Sequence, residues 1–307
     1  MRVALFGGAG GVGASVAFNL LAAGSGHDVV IIDRRANMTE SHLMDLEQVR
    51  VMIGAGAVTD AAPEAVADAD VVVMVAGEPQ GPRSSRLPAL GENAPHVREL
   101  AALLAAAPVF HGIVLMVTNP VDPLVTILQR ETGIDRRRVI GYTLNDTLRF
   151  RTGIGLVRGI DPHLVDAWVL GEHGDGCVPL HSRISYAGAP LVLSEAERAA
   201  ADEFLYGWFA RHVALDPTRS STWTSGIGVA RMVEAIAADR RERFPASVVL
   251  EGEYGIAGVS LTVPVVIGRR GVDEIEVWSL GAEEEGALLR AAEVVRAQAA
   301  EASAGAL

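Results

Sequence analysis

Gly7-Gly8-Ala9-Gly10-Gly11-Val12-Gly13 follows an apolar run at residues 3–6 without a gap and opens a helical pattern over residues 14–23. The stretch satisfies Gly-x-Gly-x-x-Gly through Gly8, Gly10 and Gly13, and Gly7 extends it to Gly-x-x-Gly-x-x-Gly. Glycines so placed permit a tight strand-to-helix turn and let a pyrophosphate approach backbone N–H groups at a helix N-terminus. A glycine-rich turn alone is a weak signal, and its context strengthens it. Asp33 lies twenty residues beyond Gly13, at the end of a second apolar run at 29–32. A carboxylate there accepts hydrogen bonds from adenosine ribose hydroxyls and repels a 2′-phosphate, which favours NAD. Arg34 and Arg35 follow at once and would welcome a phosphate, so NADP stands as the lesser alternative.

Outward from this loop, short apolar runs alternate with helical patterns. Strands are expected at 3–6, 29–32, 71–75, 113–117 and 139–140, and helices at 14–23, 40–49, 95–106 and 120–131. The runs are nearly continuous rather than alternating, as in parallel strands buried on both faces. After about Gly141 the pattern changes to long helices at 194–212, 227–238 and 283–302, with strands at 247–251, 261–267 and 274–278 beside glycines, as in hairpins. The expected fold is α/β: a Rossmann-type parallel-sheet domain over residues 1–141, then an α+β substrate or catalytic domain over 142–307. The run Arg136-Arg137-Arg138 reads as a solvated turn ahead of a strand rather than a binding patch.

Composition removes several chemistries. The 307 residues are 50% hydrophobic and 21% charged, values of a soluble globular protein. All 26 basic residues are arginine. Without lysine there is no Walker A loop, no Schiff-base enzyme and no Tyr-x-x-x-Lys pair. The single cysteine, Cys177, excludes an internal disulfide and any site with two cysteine ligands, and no metal is expected. A net charge of −12 argues against nonspecific binding to nucleic acid or an anionic membrane. With no signal-peptide pattern and no apolar run near the ~20 residues of a membrane helix, a cytoplasmic location is expected.

Four segments carry chemistry. Residues 76–86, from Ala76-Gly77 to Arg86, are too rich in Gly and Pro for regular structure; Thr118-Asn119-Pro120-Val121-Asp122 follows a strand. Asn145-Asp146-Thr147-Leu148-Arg149-Phe150 begins a helix with Asp146 and Arg149 on one face, and the fourth segment is Gly171-Glu172-His173-Gly174-Asp175. Taken singly, His173 is a surface-loop histidine, Asp146 a helix cap and Arg149 an ion-pair residue. Beside a nicotinamide site they acquire roles. A histidine suits removal of a hydroxyl proton near neutral pH, a carboxylate fixes its tautomer, and an arginine clamps a substrate carboxylate bidentately.

Together these motifs resemble the L-lactate/malate dehydrogenase family over nearly the whole chain, and within it the lactate-dehydrogenase-like malate dehydrogenases. The resemblance implies hydride transfer between NAD and a small L-2-hydroxy acid, with His173 as proton acceptor and Asp146 as its partner. It implies that Arg149 binds the substrate carboxylate, that Asn119, before a cis Pro120, bonds substrate or nicotinamide, and that Arg86 polarises the carbonyl from a closing loop. Gly7, Gly8, Gly10, Gly11, Val12, Gly13, Asp33, Ala76, Gly77 and Asn119 would hold the cofactor, and a homodimer or homotetramer is implied as well.

Departures from the family pattern bear on the substrate. Gln80 stands where malate enzymes of the family place an arginine against the second carboxylate, so oxaloacetate should be disfavoured. Arg83, displaced along the same loop, is positioned in sequence to supply the missing charge. Leu144-Asn145 before Asp146 and Gly176 in place of a serine suggest an altered pocket, and Ser221, where a threonine is usual, fits a slightly larger substrate. Two other readings are a non-catalytic NAD-binding protein, which would bind NAD without turnover, and a related NAD-dependent glycosidase, which would depend on a metal.

Overall fold

The computed structural model describes residues 1–78, 87–107, 109–215 and 220–303; the expectations placed on Gln80, Arg83 and Arg86 lie outside the described residues. The first half contains β1 (Arg2–Phe6), β2 (Asp28–Ile32), β3 (Ala57–Asp60), β4 (Val71–Met74), β5 (Ile113–Met116) and β6 (Val139–Tyr142). Helices α1 (Gly11–Ala22), α2 (Ala36–Ile53), α3 (Leu87–Ala106) and α4 (Val121–Thr132) connect them. The six strands are parallel in the order β3-β2-β1-β4-β5-β6. Alternate residues of one strand feed different cores: Val3 and Leu5 join the cluster on one face, Ala4 and Phe6 the cluster on the other. That is why the strands read as unbroken apolar runs.

The second half contains α5 (Leu144–Arg158), β7 (Val165–Asp166), β8 (Val169–Gly171), β9 (Cys177–Pro179), β10 (Ser185–Tyr186) and β11 (Ala189–Pro190). After them come α6 (Glu195–Ala214), α7 (Thr222–Ala237), β12 (Glu242–Glu251), β13 (Ala257–Gly268), β14 (Gly271–Ile275) and α8 (Ala282–Ser303). Helix α6 starts at a capping box in which Ser194 and Glu197 bond each other's backbone N–H, satisfying two orphan donors.

The two halves expected from the sequence share one sheet. β12 pairs antiparallel with β6 through Ala246–Tyr142 and Ser247–Gly141, and β13, β8 and β9 continue the sheet beyond it. Pairing covers the edge of β6, whose N–H and C=O groups would otherwise lack partners. Gly141 makes the approach possible, because a Cβ there would fall 2.8 Å from Ser247 Cβ and 2.8 Å from Val121 Cγ2. One core consequently runs from Leu5 and Ile140 to Val248, Leu261 and Val233.

Other differences have local causes. β3 was not anticipated because its four residues, Ala57-Val58-Thr59-Asp60, are half-exposed at the sheet edge and carry no apolar run. α3 begins at Leu87 rather than at Pro95, which sits inside the helix. β14 ends at Ile275, and beyond it Glu276 pairs with Arg243 while Trp278 packs edge-to-face on Trp168. The arginine run is an anchored 3-10 turn and not a solvated one. Arg136 bonds Glu253 and the Val249 carbonyl, and Arg138 bonds the Phe110 carbonyl. None of the described helices is long and apolar enough to cross a membrane.

Candidate active site

The site lies at the carboxyl ends of β1, β4, β5 and β6, where an open parallel sheet leaves a crevice. The glycine loop divides into two kinds of position. Gly7 adopts φ +89°, and a Cβ there would lie 2.3 Å from the Ala76 backbone; a Cβ at Gly13 would lie 2.5 Å from the Gly8 carbonyl. These glycines are required by the chain itself. Gly10 and Gly11 are not, since a Cβ at either would meet nothing nearer than 3.4 Å. What a Cβ would obstruct there is an incoming ligand, and Gly10, the residue before α1, provides no side-chain cap, leaving first-turn N–H groups for an external acceptor. Val12, half-buried, lies in this turn. Among the described residues, then, the cradle fits a dinucleotide diphosphate.

Asp33 faces the loop. Its Oδ2 accepts the Ala9 N–H at 3.0 Å, and Arg35 grips both oxygens, at 3.0 Å through Nε and 2.9 Å through a terminal nitrogen. Burial alone would raise the Asp33 pKa; the bonds from Arg35 and Ala9 outweigh it and hold the carboxyl below its ordinary value. Arg34 turns away to pair with Glu99. Of the two arginines beside Asp33, Arg35 is therefore the one at the nucleotide end.

At the ends of β4 and β5 a buried asparagine not singled out from the sequence joins two strands. Asn93 Oδ1 accepts the Glu78 N–H at 2.9 Å, and Asn93 Nδ2 donates to the Asn119 carbonyl at 2.7 Å. Thr118 adds a bond to the Ala76 carbonyl at 2.7 Å, and Gly77 lies against both, with a Cβ there 3.1 Å from Asn93 Oδ1. The Asn119–Pro120 bond is cis. Asn119 Oδ1 is buried and has no hydrogen-bond partner among the described residues, so this amide fits a ligand group.

The third wall comes from α5 and the turn between β8 and β9. Asp146 lies in the first turn of α5 and Arg149 one turn on. His173 Nδ1 is 2.5 Å from Asp146 Oδ2, while Arg149 donates to Asp146 Oδ1 at 2.9 Å. Both His173 and Asp146 are buried, at 8% and 7% exposure. With Nδ1 bound to a carboxylate, the proton-exchanging atom left to the ring is Nε2. The Arg149 guanidinium lies 4.0 Å from the centroid of Trp208, whose ring stacks on His212. Trp208 was not anticipated, since an aromatic within a helical pattern reads as core.

Two of the residues expected to alter the pocket also make contacts inside the protein. Asn145 links Tyr142 (2.8 Å) to Ser225 (3.0 Å) inside the protein, tying α5 to α7. Gly176 lies against Glu172: its N–H donates to Oε2 at 3.0 Å, and a Cβ would stand 2.7 Å from that oxygen. Ser221 is the residue before α7, half-buried, with no side-chain capping bond.

Asp122 is the principal residue that sequence reasoning left without a role. Its Oδ2 accepts the His173 backbone N–H at 2.6 Å and its Oδ1 the Ser247 hydroxyl at 2.5 Å. Burial pushes its pKa up to about 6 despite those two bonds. The signal available in sequence was an acid in the first turn of α4, whose next two turns are mostly apolar.

Comparison with known proteins places this geometry. Residues 1–141 match the family model described as lactate/malate dehydrogenase, NAD binding domain, and residues 143–305 match its alpha/beta C-terminal domain. The malate dehydrogenase of Halobacterium salinarum is 35% identical over 97% of this chain and 98% of its own. The L-lactate dehydrogenase of Nitratidesulfovibrio vulgaris is 34% identical over 96% and 97%. The crystal structure of Cryptosporidium parvum lactate dehydrogenase, complexed with lactic acid and NAD, superposes with a TM-score of 0.91 at 26% identity, over 98% of each chain.

Because the folded-state pKa of Asp122 is raised, the folded protein binds a proton between about pH 4 and pH 6 that the unfolded chain has released. This group's contribution to stability is therefore present below pH 4 and lost as the pH climbs through 6. Asp122→Asn removes the dependence. Relative to wild type, its unfolding free energy is expected to rise by up to about 3 kcal/mol from pH 4 to pH 7, read by urea titration at fixed protein concentration. Parallel curves for the two proteins would contradict this.

Proposed function

The chain belongs to the lactate/malate dehydrogenase family, and from that footing we propose that it is an NAD-dependent L-2-hydroxy acid dehydrogenase whose proton is carried by His173. The observation that carries the reading is one carboxylate, Asp146, bonded at once to His173 Nδ1 and to Arg149, in a chain that also carries the glycine loop and Asp33. NAD, when bound, supplies the two-electron hydride acceptor. The chain supplies the rest. His173 takes the hydroxyl proton of the substrate at Nε2 as the C–H hydride leaves, giving the 2-keto acid, and returns that proton in reduction. Asp146 holds the ring tautomer and stabilises the imidazolium. The guanidinium of Arg149 has five donors, enough to bond Asp146 and a substrate carboxylate together, and Trp208 keeps its plane in place.

Asn119 completes the pocket between substrate and nicotinamide, and Arg86 polarises the carbonyl. The glycine loop, Val12, Asp33, Ala76 and Gly77 take the dinucleotide, so residues 1–141 serve the cofactor and 142–307 the substrate. We assign the enzyme to the cytoplasm, a reducing compartment that suits a chain with a single cysteine. It acts as a homodimer or homotetramer: Met44, Val51 and Met52 of α2 and Trp223 and Ile227 of α7 present large apolar side chains to solvent on helices that both flank α1.

Between malate and lactate, the relatives carry both names at nearly equal identity. Gln80 favours a monocarboxylic 2-keto acid such as pyruvate, since a second carboxylate left without a cation costs on the order of 3–5 kcal/mol. Arg83 is the rival that would restore oxaloacetate.

His173→Asn is expected to abolish NADH oxidation with every 2-keto acid of a panel while NADH still binds; turnover at the wild-type rate sinks the dehydrogenase reading. Gln80→Arg should raise kcat/KM for oxaloacetate over pyruvate by about 100-fold or more. If the wild type already prefers oxaloacetate strongly, specificity passes to Arg83. Light scattering should give a mass of two or four chains, and a monomer would refute the assembly.

A further inference from the structure

Asp122 is 1% exposed, and both of its carboxylate oxygens are committed inside the protein. Oδ2 holds the peptide N–H of His173 and Oδ1 the hydroxyl of Ser247. Behind it the chain of bonds continues. Ser247 Oγ meets Ser260 Oγ, the Ser260 N–H donates to Thr126 Oγ1 at 3.0 Å, and Thr126 Oγ1 donates to the Asp122 carbonyl at 3.1 Å. Ser247, Ser260 and Thr126 are all fully buried. One carboxylate thus joins α4, β12, β13 and the turn that carries His173. No arginine forms an ion pair with it among the described residues. An asparagine of the same shape could make both contacts, accepting from His173 and donating to Ser247, without burying a charge. What the aspartate adds is the charge.

We propose that Asp122 is a positioning residue for the proton transfer: it fixes the backbone of His173, and its negative charge favours the protonated imidazole. The inference rests on His173 being the proton carrier. The charged groups facing the pair are Asp146 and Arg149 from α5 and Glu172 from the same turn. Glu172 is held by the Gly176 N–H and by Gln298 of α8. β12 and β13 bring only the hydroxyls of Ser247 and Ser260. Of these groups Asp122 bonds the His173 main chain. With less negative charge near it, the imidazole holds its proton less firmly, so its titration moves to lower pH.

The test is Asp122→Asn in the full-length enzyme, with pH profiles of kcat/KM in both directions, NADH affinity by fluorescence, and thermal melting. The expected result has three parts. The inflection that reports His173 moves down by half a pH unit or more, kcat for reduction on the alkaline side of that inflection falls about threefold or more, and neither NADH affinity nor melting temperature is reduced. An NMR titration of labelled histidine in the resting enzyme should show the same downward shift without turnover. An unmoved inflection overturns the proposal, as does a pH-independent loss of kcat accompanied by a lower melting temperature, because either marks a purely structural residue. Asp122→Ala, which also removes the charge, covers the case in which the asparagine variant does not fold. It should shift the inflection the same way, and a shift upward refutes the idea. If His173→Asn itself turns over normally, the dehydrogenase reading fails; if that variant is dead and the Asp122 variants titrate like wild type, only the present inference does.

Discussion

Everything at the site depends on the pairing of β6 with β12. Asp146 follows β6 by a few residues, Ser247 lies on β12, and His173 follows β8, which pairs with the far side of β13. The strand-to-strand spacing of a sheet, about 4.8 Å, therefore sets how far apart these groups stand. Thr143 reinforces the seam with a bond to the Pro245 carbonyl at 3.2 Å. The absence of a side chain at Gly141 is the steric condition for the whole arrangement, because Ser247 and Val121 occupy the space a Cβ would need.

The parallel half was legible because its strands are buried on both faces and so leave long apolar runs between helical patterns. Edge strand β3 left no such trace, and neither did the seam itself, since pairing between residues about a hundred positions apart has no local signature. At the site, Asp33, Asp146, Arg149 and His173 were legible from chemistry: each is a residue type with a narrow set of uses, found in the context that suits it. Asn93, Trp208 and Asp122 were not, because their roles consist of contacts that only the fold creates. Asn145 and Gly176, expected to alter the pocket, also serve the α5–α7 link and the Glu172 turn.

A chain without lysine meets its cationic needs with a planar, permanently charged group. Arg136 grips Glu253 with two nitrogens at the turn before β6, Arg35 grips Asp33 with two at the glycine loop, and Arg149 lies over an aromatic ring. Each of these uses the width or the flat face of the guanidinium, which an ammonium would not reproduce. Asp122 stands in contrast, a buried carboxylate bonded by a peptide N–H and a hydroxyl. Burial raises its pKa, and no arginine among the described residues pairs with it to offset that rise.

The continuity of the sheet also governs motion. Proteins whose two halves meet across a loose interface can open like jaws about a hinge and so admit and release a ligand between rigid bodies. Here such a swing would have to break the ladder from β6 through β12 to β13 and tear the common core beneath it. The nucleotide end and the proton-transfer end are thus mounted on one continuous sheet, and the ladder between them sets their separation.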